Sequence, residues 1–198
     1  MARTIDVEQH ERHKADIAGA VWRLVARAGL EAVSLREVAA EAGVSVGRVQ
    51  HYFRSKDALL LFGLRLARDR MTARIGQRVG GLAGTPEDTL RATLDELLGD
   101  DPDTRQAVRV WVAFLGRALD DPEFAELLYA DDIDLRARTA EVVRGVRADL
   151  DAEREAHLIR ALANGLAAEL ACGRTSSECA RAVVHHHLDR VLGGTGRG

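Results

Sequence analysis

Residues 34–57, SLREVAAEAGVSVGRVQHYFRSKD, constrain the fold more than any other segment of the chain. Ser34 stands three residues before Glu37, the S-x-x-E pattern that opens a helix, here at Leu35. Gly43 supplies the backbone freedom for a corner after Ala42. Ser45 then caps a second short helix, and Ser55 caps a longer one from Lys56. Val38, Ala39 and Ala42 fall on the inner side of the first short helix, and Val46, Val49 and Phe53 on that of the second. This leaves Gly47, Arg48, Gln50, His51 and Tyr52 as a polar cluster on the second helix. A helix-turn-helix presents side chains to a DNA groove in this way.

The rest of the chain is punctuated as legibly. Gly29 closes a first amphipathic helix carrying Ile17, Val21, Leu24, Val25 and Ala28. Thr85-Pro86, Asp101-Pro102 and Asp121-Pro122 each pair a capping residue with a proline at the first helical position, where no amide is wasted. Thr175, three before Glu178, marks the last start. These signals predict an all-α chain of about nine helices, over residues 8–28, 35–42, 46–53, 56–80, 86–99, 102–119, 122–147, 152–172 and 176–193. The first ten residues read as a tail, with Arg3 as a candidate minor-groove arm. With hydrophobics at 46%, charged residues at 30% and only three prolines, the composition agrees with a helical globular protein.

Charge is divided unevenly. Residues 1–82 hold 14 lysines and arginines against 9 acidic residues, and residues 83–198 hold 14 against 22. A basic head on an acidic body fits a protein that meets nucleic acid at one end. Other classes find little support. No apolar stretch approaches the roughly 20 residues of a membrane span, and MARTIDVEQHERHK contains no hydrophobic leader segment, so cytoplasmic residence is expected. No glycine-rich phosphate loop, His-x-x-x-His pair or nucleophile with a flanking base is present, so no enzyme, cofactor or metal is expected. Adjacent side chains on a helix diverge by about 100°, so His185, His186 and His187 do not converge on one ion. Cys172 and Cys179 read as two small, reduced core residues.

On the polar cluster the chemistry is specific. Ser45 caps the helix and leaves free amides for a phosphate, and Gly47 permits close backbone approach. Val46 belongs to the same leading turn. Arg48 suits a bidentate contact to guanine, and Gln50 suits adenine or a phosphate. His51 and Tyr52 follow on the exposed side, while Ser34, Arg36 and Lys56 bracket the phosphates.

The pattern A-x-x-A-G-V-S-x-G-x-V-x-x-Y-F-x-S-K-D resembles the N-terminal domain of the TetR family of bacterial regulators over about residues 12–60. Gln-His-Tyr-Phe at residues 50–53 is similar to the BetI-like branch. The resemblance implies a helix-turn-helix DNA-binding domain over residues 1–56 and a ligand-binding and dimerisation domain over residues 57–198. It implies a homodimer on a palindromic double-stranded operator, repression relieved by a small-molecule effector, and Lys56 as the phosphate-binding lysine. Gln50 stands where most relatives carry a phosphate-binding tyrosine, so either Gln50 or Tyr52 makes that contact.

In the body, Phe62, Leu94, Leu97, Trp111, Phe114, Leu115, Phe124, Leu128 and Tyr129 are candidates for a largely apolar effector pocket, or else plain core. Leu158, Ala161, Leu162, Gly165 and Leu166, with Val183, His186 and Leu188, form small-residue apolar stripes suited to a dimeric four-helix interface. Two other classes stay open at this point: a helical enzyme with an incidental helix-turn-helix, and an adaptor that binds a protein and no DNA.

Overall fold

A computed structural model describes the backbone of residues 2–81 and 84–193 and the side chains of residues 10–81 and 84–193. Its described residues form ten α-helices, a 3₁₀ turn at Leu30–Ala32, and no strand. The helices are α1 (Ala2–Ala28), α2 (Leu35–Ala42), α3 (Val46–Tyr52), α4 (Lys56–Gly80) and α5 (Pro86–Leu97). They continue as α6 (Pro102–Asp120), α7 (Pro122–Leu128), α8 (Asp132–Val146), α9 (Ala152–Ala171) and α10 (Ser177–Leu192).

Four sequence expectations are corrected. The segment read as a tail is helical, since α1 starts at Ala2 and no glycine or proline interrupts it before Gly19. The helix expected over 122–147 breaks between Leu128 and Asp132, where the Asp132 amide closes a turn on the Tyr129 carbonyl. No proline or glycine marks this break; Asp132 is instead engaged by Arg136 (3.0 Å) and by Arg160 of α9 (2.5 Å). The last helix is capped by Ser176, whose hydroxyl accepts from the Cys179 amide, one residue beyond the expected Thr175. Cys172 and Cys179 are exposed, because Cys172 caps the end of α9 at the α9–α10 corner and Cys179 faces outward in the first turn of α10.

The chain divides into two compact units, one running to Arg70 and including Arg109–Leu128, the other comprising Met71–Val108 and Tyr129 onward. The expected functional boundary after residue 56 falls inside the first.

In the first unit α1 is the central post. Ile17, Val21, Leu24 and Val25 bury against Val38 and Ala39 of α2, Val49 of α3, and Leu59, Leu60 and Leu64 of α4. Trp22 donates its indole N–H to the Gly63 carbonyl at 2.7 Å, which satisfies a buried donor and carbonyl together. Gly63 eases this approach, since a Cβ there would press on Val21 Cγ1 at 3.3 Å. On the surface Arg23 and Arg27 clasp Glu41 at 2.8 and 3.0 Å, and those hydrogen bonds, Arg23's first, hold its carboxyl below the usual carboxylate range.

The second unit packs α5, α8, α9 and α10 around Leu94, Leu98, Ala140, Val143, Ile159, Val184 and Leu188. An ion network around the buried Glu96 stands at its edge. Arg74 reaches Glu96 and Asp101 at 2.8 Å and Asp103 at 3.1 Å. Arg78 adds a second cation to Glu96 at 3.2 Å, and the Thr104 hydroxyl donates to it.

Candidate nucleic-acid interface

Local chemistry builds the turn. α2 ends at Gly43, which adopts φ 66°, ψ 32°. The Gly43 amide bonds to the Ala40 carbonyl and the Val44 amide to the Ala39 carbonyl, the paired closure that a left-handed glycine permits. Ser34 accepts from the Glu37 amide at 3.1 Å, and Ser45 from the Arg48 amide at 3.2 Å. Each helix thus begins on a serine cap and leaves its remaining first-turn amides outward.

Val49 is the buried anchor of α3 and Phe53 closes its end in the core. Ser34, Arg36, Ser45, Gly47, Arg48, Gln50 and His51 are all exposed. Val46, read as an inward residue as well as a contact residue, is 38% exposed at the first position of α3. Lys56 spends one ammonium donor on the Leu30 carbonyl at 3.3 Å and retains two. Tyr52 is half-buried, packed between His10 (4.7 Å between centroids) and His51 (5.2 Å). Its hydroxyl meets His13 Nδ1 at 3.1 Å. Sequence reasoning did not single out His10 and His13; their spacing of one helical turn on α1 is the signal that could have found them.

The nine pocket candidates are divided between the units. Phe62, Phe114, Phe124 and Leu128 belong to the core of the first, where Phe114 and Phe124 stack at 5.6 Å and Phe62 meets Phe53 at 5.4 Å. Trp111 and Leu115 are half-buried on α6 in that unit. In the second unit Leu94 is core, Leu97 is half-buried and Tyr129 is exposed. None of the nine lines the cavity of about 990 Å³ that the second unit holds among the end of α4, α5 and α8. Ile75, Leu90, Leu135 and Val142 provide its apolar wall. Thr93 and Thr139 also line it, but their hydroxyls donate back to the Thr89 and Leu135 carbonyls. Asp134, Arg138 and Glu141 are exposed lining residues.

The interface candidates split by helical phase. Leu158, Ala161, Gly165, Val183 and His186 are exposed, with Leu158 at 46% and Val183 at 42%. Leu166 and Leu188 are buried in the core of their own unit, and Leu162 packs partly against it. The two expected stripes therefore mix an inward and an outward face.

A three-helix head whose reading helix exposes arginine, glutamine and histidine behind a capped first turn defines a helix-turn-helix DNA-binding regulator. Residues 17–61 match the family described as bacterial regulatory proteins, tetR family, and residues 86–193 match the BetI-type transcriptional repressor C-terminal family. The chain belongs to the TetR family of bacterial regulators and is a ligand-responsive DNA-binding transcriptional regulator, not an enzyme. The HTH-type transcriptional regulator PksA of Bacillus subtilis is 29% identical, over 96% of this chain and 94% of its own. The regulator BetI of Burkholderia cenocepacia is 28% identical, over 94% and 97%. A transcriptional regulator from Rhodococcus sp. Rha1 superposes with a TM-score of 0.81 at 31% identity, over 91% and 96%. One from Saccharomonospora viridis, solved with choline, has a TM-score of 0.81 at 22% identity, over 90% and 96%, and shares the fold. Regulators of this family bind DNA and small-molecule effectors and act as dimers. No helix among the described residues is long and apolar enough to cross a membrane.

Proposed function

We propose that this regulator represses transcription from a palindromic operator, with α3 of each protomer in a major groove and Arg48 reading a base edge. The observation that carries the reading is the outward set Arg48, Gln50 and His51 on a helix anchored by Val49. Gly47 and Val46 allow or line the close approach, and Ser34, Arg36, Ser45 and Lys56 take phosphates. Gln50 makes the contact at the position of the family tyrosine, since it is exposed and the Tyr52 hydroxyl is engaged by His13. The DNA-binding domain then spans residues 1–56 and the sensing and pairing domain residues 57–198.

Arg48→Ala should lose about 1–3 kcal/mol of discrimination at one operator position. Lys56→Ala should weaken binding to all sequences alike and lower the salt slope by about one. Mobility shifts on operator and random duplex at two salt concentrations measure both. Equal losses on both DNAs for both variants would remove these assignments.

The effector is a small molecule with an apolar body. The wall of Ile75, Leu90, Leu135 and Val142, with the Thr93 and Thr139 hydroxyls spent on backbone carbonyls, supports this. To regulate, it must bind one conformational state more tightly than the other.

Pairing uses the outward residues Leu158, Ala161, Gly165, Val183 and His186. A charge introduced there, as Val183→Asp, should shift the protein from dimer to monomer in analytical ultracentrifugation while its monomer fold persists, because Val183 is not core. A variant that stays dimeric at micromolar concentration would move the interface elsewhere.

A further inference from the structure

Two side chains of α3 are held from outside the helix-turn-helix. His13, half-buried on α1, meets both. Its Nδ1 lies 3.1 Å from the Tyr52 hydroxyl, and Arg48 Nη2 lies 3.3 Å from its Nε2 and 3.4 Å from its Nδ1. His10, three residues earlier, packs on the Tyr52 ring from the same helix. Arg48 makes no ion pair among the described residues, so His13 is what its guanidinium rests on.

We propose that His13 is a positioning residue for DNA recognition, restraining Arg48 for the base it reads. Arg48 Nη2 is nearly equidistant from the two ring nitrogens, so the guanidinium end lies against the face of the imidazole, while Nδ1 at the ring edge meets the Tyr52 hydroxyl. Tyr52 thereby fixes the ring, and the ring fixes the arginine. A guanidinium carries five N–H donors in a rigid fork, and this contact occupies at most the Nη2 pair. The others remain to pair with the O6 and N7 acceptors of guanine. A long arginine that is already restrained gives up less rotamer freedom on docking, so the contact favours the correct base without touching DNA itself. The same restraint explains why α1 places two histidines one turn apart against α3.

The proposal rests on the reading that Arg48 contacts a base, and the experiment separates the two. An operator is selected from a random-sequence duplex pool with the unmodified protein, and affinities are measured on it, on its single-base variants and on random duplex. Arg48→Ala identifies the position that Arg48 reads. His13→Ala should lower discrimination at that position about three- to tenfold, with random-duplex affinity and salt slope unchanged. Added to Arg48→Ala, it should cause no further loss. His13→Phe, which keeps a ring face for the guanidinium, should restore discrimination, whereas His13→Asn, which has no ring, should not. Thermal unfolding of each variant checks that the head stays folded. Loss at the Arg48 position that adds in full to that of Arg48→Ala, equal behaviour of the three His13 variants, or unchanged discrimination in His13→Ala would each overturn the proposal while leaving the Arg48 reading intact. Unchanged discrimination in Arg48→Ala would overturn both.

Discussion

Arg74→Met should cost about 3 kcal/mol of unfolding free energy in urea denaturation, with the midpoint falling and the slope unchanged. Glu96 is only 6% exposed, and Arg74 donates to its Oε1 from Nη2 at 2.8 Å and from Nε at 3.0 Å. Hydrogen bonding to Glu96, the largest cause, raises the pKa of the Arg74 guanidinium above its ordinary value. Methionine keeps the apolar stem and deletes the charge, so the loss reports on the pair rather than on packing. Arg78 and the Thr104 hydroxyl remain on Glu96, which puts the cost at the lower end of the range for an orphaned buried charge. Replacing Glu96 as well, in Arg74→Met/Glu96→Leu, should recover part of the loss, because a buried carboxylate without its partner is worse than no carboxylate. Additive losses in the double variant would mean that the two groups are not energetically coupled.

Phe114→Ala should be as severe, about 3–5 kcal/mol. The ring is 1% exposed and stacks on Phe124, over which the Arg117 guanidinium lies at 5.2 Å. Truncation leaves a ring-sized void in a core whose neighbours, including Val110 and Leu127, are already close-packed. The variant also decides between the two roles open to an aromatic at helical spacing. A core residue loses stability, whereas a residue lining an effector cavity would leave unfolding within about 1 kcal/mol and change the response to effector instead. A small stability change would return Phe114 to the pocket candidates.

The parts of this fold that were legible in the sequence are those set by short-range chemistry. Ser34, Gly43 and Ser45 act through hydrogen bonds to amides and carbonyls three to five residues away. Thr85 and Asp88 complete a reciprocal capping box within four residues. The outward set on α3 follows from the same helix phase, since one buried residue, Val49, fixes where Arg48, Gln50 and His51 point. Where two faces of one helix are both apolar, the pattern is silent. α9 buries Ile159, Ala163 and Leu166 and leaves Leu158, Ala161 and Gly165 outside, and only the placement of α8 and α10 separates them.

By itself, then, the amino-acid order determined most of the helix starts, the helix-turn-helix and the polar face of α3, because caps, turns and helical phase are local. The tertiary structure decided which apolar residues are core, where α7 ends and α8 begins, and how His13 meets Arg48 and Tyr52. Those depend on partners 28 to 39 residues away, as with Arg160 on Asp132 and Tyr52 on His13, and no periodicity along one helix encodes what another will bring against it.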